Sequence, residues 1–306
     1  MRAATAVQAR SLEELMPGRV NFDRRERSMY SHDVGSLPGL IKPFLGNTLP
    51  AGVVQPVSEE EIARLVQWAS LEKVPLVPRG KSTSGYGGVL PVQGGLVVDF
   101  VRMSKVVSLK NDEVTVQPGI SWKKLDEYLG KHGMTLRLYP SSYLSSTVGG
   151  WLAQGGAGFG SWQYGWFPEN VESARIVLGN GTVKEISGQE LSLIADAEGI
   201  SGLITEITLK VMPALEAALS LAAFETARDL ARFVGSLGEM DIWSLSFVNP
   251  DMVRLSNRAP LRTHHDHPAE QLVLFPEKYL VLLAYGKDAS ADGKGIVADV
   301  IGEVVK

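Results

Sequence analysis

The stretch PRGKSTSGYGG, residues 78–88, decides how this chain is read. It packs Gly80, Gly85, Gly87 and Gly88 around three successive hydroxyl side chains, Ser82, Thr83 and Ser84. Small residues let backbone N–H groups converge on anionic oxygens, and hydroxyls add further donors, so the stretch suits a phosphate. It is not a Walker loop, because Lys81 stands in the wrong place for GxxxxGK[ST], and it does not fit GxGxxG. By spacing alone, a tight surface turn explains it equally well.

Immediately upstream lies a β–α–β pattern. Val53–Val57 reads as a strand. Ser58 with Glu61 forms a capping box, and Ile62, Leu65, Val66 and Ala69 follow at helical spacing. Pro75–Pro78 is the next strand, and it feeds the glycine-rich loop. Downstream, Gly95–Phe100 and Val114–Val116 are strand-like. Ser121 caps a helix carrying Trp122, Leu125, Tyr128 and Leu129, closed by Gly133. Ala174–Leu178 and Val183–Ile186 read as a hairpin with Asn180-Gly181 as a type I′ turn, and Leu203–Val211 as one more strand. The first 50 residues read as irregular, with Arg24–Arg27 a solvated charge cluster. After Pro213 glycine thins out. The pattern there is strand Leu219–Phe224, helix Ala227–Leu237, strands Trp243–Phe247, Met252–Ser256 and Tyr279–Tyr285, and helix Ile296–Val305. Three parts are expected: an N-terminal extension (1–50), a ligand-binding domain (51–213) and a partial second domain (214–306).

A second segment, PSSYLSSTVGGWLAQGGAGFGSWQYG (140–165), lies in a charge-free run from Leu138 to Pro168. Ser145-Ser146-Thr147-Val148-Gly149-Gly150 looks like a strand end or turn opening a short helix, whereas Gly155–Gly160 is too rich in glycine for a helix interior. A long neutral loop must bury its backbone against the protein or against an extended ligand. Trp151, Trp162 and Trp166 read as packing residues rather than a stacking platform.

Composition removes several classes. The 306 residues are 44% apolar and 21% charged, which are globular values. Lys+Arg 30 against Asp+Glu 34 leaves a net charge of −4, which argues against a nucleic-acid partner. There is no Cys, so a thiolate nucleophile, an iron–sulfur ligand set and a Cys-type zinc site are excluded within these residues. Redox chemistry would need an organic cofactor or another subunit. The N-terminus has no apolar signal-peptide core, and no run of 18 apolar residues occurs, so a cytoplasmic location without a transmembrane segment is expected.

Taken together, the loops resemble those of flavin-linked oxidases and dehydrogenases of the vanillyl-alcohol oxidase fold, the PCMH-type FAD domain. PRGKSTSGYGG resembles the family's pyrophosphate loop. Val97–Phe100 with Arg102-Met103 resembles the strand that follows it. Gln117-Pro118-Gly119, Thr147–Gly150 with Tyr164-Gly165, Val177–Gly181, and Glu198–Thr205 resemble four further motifs in the family's order. The glycolate oxidase and D-lactate dehydrogenase flavin subunits are the most similar subgroup.

The resemblance implies an α+β fold: a two-subdomain FAD-binding domain followed by a small or incomplete cap. It implies extended FAD held by Arg79, Gly80, Lys81, Ser82, Thr83, Ser84 and Gly85 at the pyrophosphate. Pro140, Ser141, Ser142, Ser146, Thr147, Gly149, Gly150, Ala153, Gly156, Tyr164 and Gly165 would surround the flavin. Glu198, Gly199 and Ile204 would meet the adenine or a ring edge. Relatives with covalent flavin often carry a His in the pyrophosphate loop. Here Thr83 takes that place and no His lies between residues 33 and 131, so noncovalent FAD is expected.

The implied activity is oxidation of a 2-hydroxy acid of glycolate or D-lactate type by hydride transfer to FAD. Electrons would then pass to an iron–sulfur or second flavin subunit. The alternatives are a non-catalytic or electron-transferring FAD subunit, or half of a split enzyme. The late part of the chain departs from the family: nothing resembles its HxxGDGNxH metal-and-base cluster, and no catalytic base is named. His264, His265, Asp266 and His267 read as a solvated loop, so no metal is expected. Arg254 and Arg258, with Arg262, are candidates to clamp a substrate carboxylate.

Overall fold

A computed structural model of the chain describes residues 6–35, 40, 44, 46–238, 240–258 and 274–287. Their first elements are α1 (Ala6–Leu15), β1 (Val20–Asn21), α2 (Arg24–Met29), β2 (Gly52–Val54), α3 (Glu59–Glu72), β3 (Leu76–Arg79) and β4 (Leu96–Asp99). The four strands form one sheet in the order β1-β2-β4-β3. β2 and β3 both run parallel to β4, so each connection must cross over the sheet.

α3 starts where the sequence signals it. Ser58 Oγ accepts from Glu61 N at 3.3 Å, and Glu61 Oε2 accepts from Val57 N at 3.0 Å. Ile62, Leu65, Val66 and Ala69 are buried on its inner face, and Lys73 in the left-handed region (φ 54°) ends it. The N-terminal residues are not irregular. Leu12 and Met16 of the first helical stretch are fully buried in the cluster that holds Ile62, Leu65 and Val98. The sequence signal is weak because so few large apolar anchors serve this helix.

Next come β5 (Val106–Lys110), β6 (Glu113–Val116), α4 (Trp122–Gly130), β7 (Met134–Leu136), α5 (Val148–Gln154), α6 (Ser161–Tyr164), β8 (Val171–Val177), β9 (Val183–Ser187) and β10 (Leu203–Pro213). These strands form an antiparallel sheet, β5-β6-β10-β8-β9, with β7 paired to the end of β10. Ser121 Oγ caps α4 by accepting from Lys124 N at 3.3 Å, and Trp122, Leu125 and Leu129 are buried.

The β8–β9 turn differs from the type I′ expectation. Gly181 has φ +81°, but Asn180 is not in the left-handed region. Gly181 N donates to Leu178 O at 2.8 Å and Leu178 N to Thr182 O at 2.9 Å. The extra Gly179 lets a type I turn precede a left-handed glycine bulge, which also matches strand twist.

The described residues divide into two units. One runs through Gly158 and resumes over Trp166–Ala214; the other holds Phe159–Gly165 and the described residues from Leu215 on. In the second unit, β11 (Ala217–Phe224), α7 (Ala227–Ser236), β12 (Ser244–Val248), α8 (Pro250–Arg258) and β13 (Tyr279–Gly286) build a three-stranded antiparallel sheet, β11-β13-β12. Phe233 of α7 packs with Ala222, Phe224, Val281 and Leu283.

The stretch read as strand Met252–Ser256 lies inside helix α8. Asn249 Oδ1 accepts from Met252 N at 2.8 Å and sets the first turn. Val253 is its buried residue, whereas Met252 and Leu255 are exposed. The helix expected at Ile296–Val305 and the His264–His267 loop lie outside the described residues.

Candidate functional site

Three loops of the first unit meet around a groove. The loop after β3 contributes Arg79, Gly80, Lys81, Ser82, Thr83 and Ser84. The segment leading into α5 contributes Ser142, Ser146, Thr147, Gly149, Gly150 and Ala153. The segment before β10 contributes Glu198 and Gly199, and β10 itself contributes Ile204. Pro78, Gly88, Val89, Phe100, Pro118, Trp151, Gln154 and Gly202 complete the lining, although none of them is named singly as a site residue from the sequence. Pro118, Gly88 and Gly202 sit inside motifs already quoted, so motif membership was the available signal.

The loop after β3 is built to present donors. No described residue accepts a hydrogen bond from the backbone N–H of Lys81, Ser82, Thr83, Ser84 or Gly85. Five successive N–H groups without a protein acceptor, beside the Lys81 ammonium and three hydroxyls, fit a pyrophosphate. Ser82 holds φ +47°, a left-handed conformation that costs a non-glycine residue about 1 kcal/mol or more.

Arg79 plays another part. It is 8% exposed, and its guanidinium donates to the carbonyls of Tyr30 (3.2 Å), His32 (3.0 Å) and Met29 (3.4 Å). It also stacks over the Tyr30 ring at 5.0 Å. Burial lowers its pKa, while Tyr30 and Asp99 pull the other way. Tyr30 donates to Asp99 Oδ2 at 2.8 Å; burial first, then the Asp99 charge, push its hydroxyl up to about 12. The Arg79 side chain therefore binds the N-terminal segment.

α5 joins the first two loops. Thr147 caps it, accepting from Gly150 N at 3.2 Å. A Cβ on Gly80 would lie 2.4 Å from Thr147 Oγ1, so the two loops touch where only glycine fits. Gly149 is buried with its open side against Pro118, where a Cβ would come within 2.5 Å of Pro118 Cβ. Gly150 faces the other way: apart from Thr147 Oγ1 at 2.9 Å, a Cβ there meets nothing. Both α5 glycines line the groove, but only Gly150 has its vacant side turned to open space.

The third segment closes on α5. Glu198, at φ +48°, donates its N–H to Ala153 O at 2.7 Å. Its carboxylate lies over Gly88, and Gly199 (φ +81°) packs against Pro78. Behind the second segment, Asp126 of α4 accepts from the hydroxyls of Tyr139 and Tyr143, each at 2.8 Å, which anchors the 139–146 loop. Burial and then Asp126 push the Tyr143 hydroxyl up to about 12.

Of the expected contact residues in the first unit, Gly85, Pro140, Ser141 and Gly156 do not line the groove. Gly85 packs on Gly35, with its N–H left without a described acceptor. Pro140 and Ser141 start a turn, with Tyr143 N donating to Pro140 O at 3.0 Å. Gly156 O accepts from Phe167 N at 3.0 Å. Tyr164 and Gly165 belong to the second unit, where they close the short helix α6. Arg254 pairs with Asp251 (2.9 Å) and Glu277 (2.8 Å), and Arg258 is exposed at the end of α8. Among the described residues no cluster of three His, Cys, Asp or Glu is placed to hold a metal. No helix among them is long and apolar enough to cross a membrane.

The family described as "FAD binding domain" matches residues 50–187, which carry the donor loop, α5 and the β8–β9 hairpin. The chain carries a PCMH-type FAD-binding domain. FAD is the cofactor this domain takes. The chain is 35% identical over 195 residues to mitochondrial D-lactate dehydrogenase [cytochrome] of Arabidopsis thaliana, covering 60% of this chain and 34% of that protein. It is 30% identical over 227 residues to glycolate oxidase subunit GlcD of Bacillus subtilis, covering 70% and 47% respectively. Among solved structures, an alkyldihydroxyacetonephosphate synthase superposes with a TM-score of 0.82 at 22% identity, over 96% of this chain and 58% of that one. That likeness shows a shared fold. The chain spans between a third and a half of the length of these two curated relatives.

Proposed function

We propose that this chain is the FAD-binding part of an FAD-dependent oxidoreductase acting on a 2-hydroxy acid of glycolate or D-lactate type. The observation that carries the reading is the donor loop. Five backbone N–H groups from Lys81 to Gly85, without described acceptors, suit a pyrophosphate beside the groove. The names of similar proteins supply the substrate class: four are D-lactate dehydrogenases and one a glycolate oxidase subunit.

In this reading Lys81 balances phosphate charge, and Ser82, Thr83 and Ser84 add hydroxyl donors. Thr147, Gly149 and Gly150 bring the start of α5 against the cofactor, and Glu198 to Ile204 hold its far part. Bound FAD supplies the two-electron acceptor. With Thr83 where a tethering His would stand, the cofactor is held noncovalently. Residues 51–213 form the cofactor domain and 214–306 a cap. Reduced FAD must pass its electrons on, and this chain has no Cys to ligate an iron–sulfur cluster. In this reading the acceptor is an iron–sulfur or second flavin subunit, in keeping with the subunit status of the glycolate oxidase relative.

Anaerobic mixing of the FAD-loaded protein with D-lactate or glycolate is the test. Bleaching of the visible flavin band by either acid supports the reading. A flavin that stays oxidised with both, but is bleached by dithionite, assigns the chain a non-catalytic FAD-binding role.

A further inference from the structure

Resting on the FAD reading above, we infer that residues 29–35 form a clasp that holds the phosphate loop in its donor-presenting shape, with Asp33 as a positioning residue. This segment lies outside residues 50–187, the part matched to the FAD-binding domain.

The clasp grips the loop at three places. At its start, Arg79 takes the carbonyls of Met29, Tyr30 and His32. In the middle, Val34 N donates to Ser82 O at 3.2 Å. Near its end, Asp33 Oδ2 accepts from Gly87 N at 2.9 Å, while Oδ1 accepts from Gly35 N at 2.8 Å. Gly35 sits so close that a Cβ there would lie 2.7 Å from Gly85 O.

These contacts explain the strained residue. In a trans peptide the C=O and the following N–H point in opposite directions. Drawing Ser82 O toward Val34 therefore turns Thr83 N–H away from the clasp. The left-handed φ of Ser82 is the local cost of that turn, and the bonds of Val34 and Asp33 offset it. Asp33 does not line the groove, and both of its oxygens hold N–H donors. Its charge is thus quenched by the backbone rather than presented to a phosphate.

The experiment uses the full-length chain stripped of flavin, as wild type, Asp33→Ala and Asp33→Asn. Each is titrated with FAD by flavin fluorescence, and the apo-protein's melting temperature and the bound flavin's visible spectrum are recorded. Asp33→Ala removes a charge-assisted hydrogen bond, so its FAD dissociation constant should rise about ten- to hundredfold. Asp33→Asn keeps one acceptor oxygen and should lose less. The melting temperature and the spectrum of bound flavin should match wild type in both. Equal FAD affinity in all three proteins would overturn the clasp and leave the FAD reading standing. Affinity losses matched by falls in apo melting temperature would also overturn it, since Asp33 would then be a general structural residue. A wild-type chain that binds no FAD would overturn the FAD reading and the clasp with it.

Discussion

Adjacent glycines at the start of α5 should respond oppositely to the same methyl group. Gly149→Ala places a Cβ 2.5 Å from Pro118 Cβ and 3.0 Å from Pro118 Cα and O, inside a buried contact with backbone on the far side. Overpacking of this kind costs about 1–3 kcal/mol, and the gain in helix propensity returns about 1 kcal/mol. A net loss of up to about 2 kcal/mol lowers the melting temperature by up to about 8 °C for a protein of this size. Gly150→Ala meets only Thr147 Oγ1, which can rotate at some cost to the cap, and the propensity gain balances that cost. Its apo-protein should melt within about 2 °C of wild type. The new methyl projects into the groove, so a cofactor seated there loses about 1–3 kcal/mol, or about five- to 150-fold in affinity. Differential scanning fluorimetry of the apo-proteins and FAD titration check both halves. If Gly149→Ala were silent in stability while Gly150→Ala destabilised the apo-protein and kept full FAD affinity, the placement of the groove would be refuted.

Other expectations follow from the same contacts. Acid precipitation of the holoprotein should leave FAD in a yellow supernatant, because Thr83 offers no tether; flavin retained in the pellet would contradict this. Tyr30 is held protonated up to about 12, against 10.0 for a free phenol. The folded state therefore keeps its proton after the unfolded state has lost it. Its contribution is full below about pH 10 and disappears as pH rises through about 12, so unfolding free energy should fall over that window and fall less in Tyr30→Phe. Arg79→Lys replaces a fork serving three carbonyls with one ammonium. It should lower stability by about 1–3 kcal/mol in urea unfolding, and a wild-type midpoint would count against the assigned role.

How much was legible depended on whether a signal was local. Ser58 and Ser121 announce helix starts because a cap needs only its own next three residues, and each caps the expected helix. Strands β2 to β4 were readable as apolar runs between turn residues. The Gly80–Thr147 and Gly149–Pro118 contacts were not readable: they join residues dozens of positions apart, and their glycines were attributed to the cofactor's approach alone. The clashes a Cβ would make with Thr147 and Pro118 give folding a direct stake in both glycines as well. Arg79 was placed at the pyrophosphate only by the resemblance of the motif it stands in. Its partners are carbonyls about 50 residues earlier, in a segment whose few apolar anchors hid its structure. Tyr164-Gly165 was carried along by its motif, but the chain passes into the second unit between Gly158 and Trp166.

Reconstitution tests the central claim most directly. The flavin-stripped full-length chain is titrated with FAD, and stoichiometry and affinity are compared between wild type and Gly150→Ala. The account predicts saturation at one FAD per chain in the wild type, with affinity falling in the variant while the apo-protein stays folded. No binding by the wild type, or saturable binding indifferent to Gly150→Ala, would contradict it.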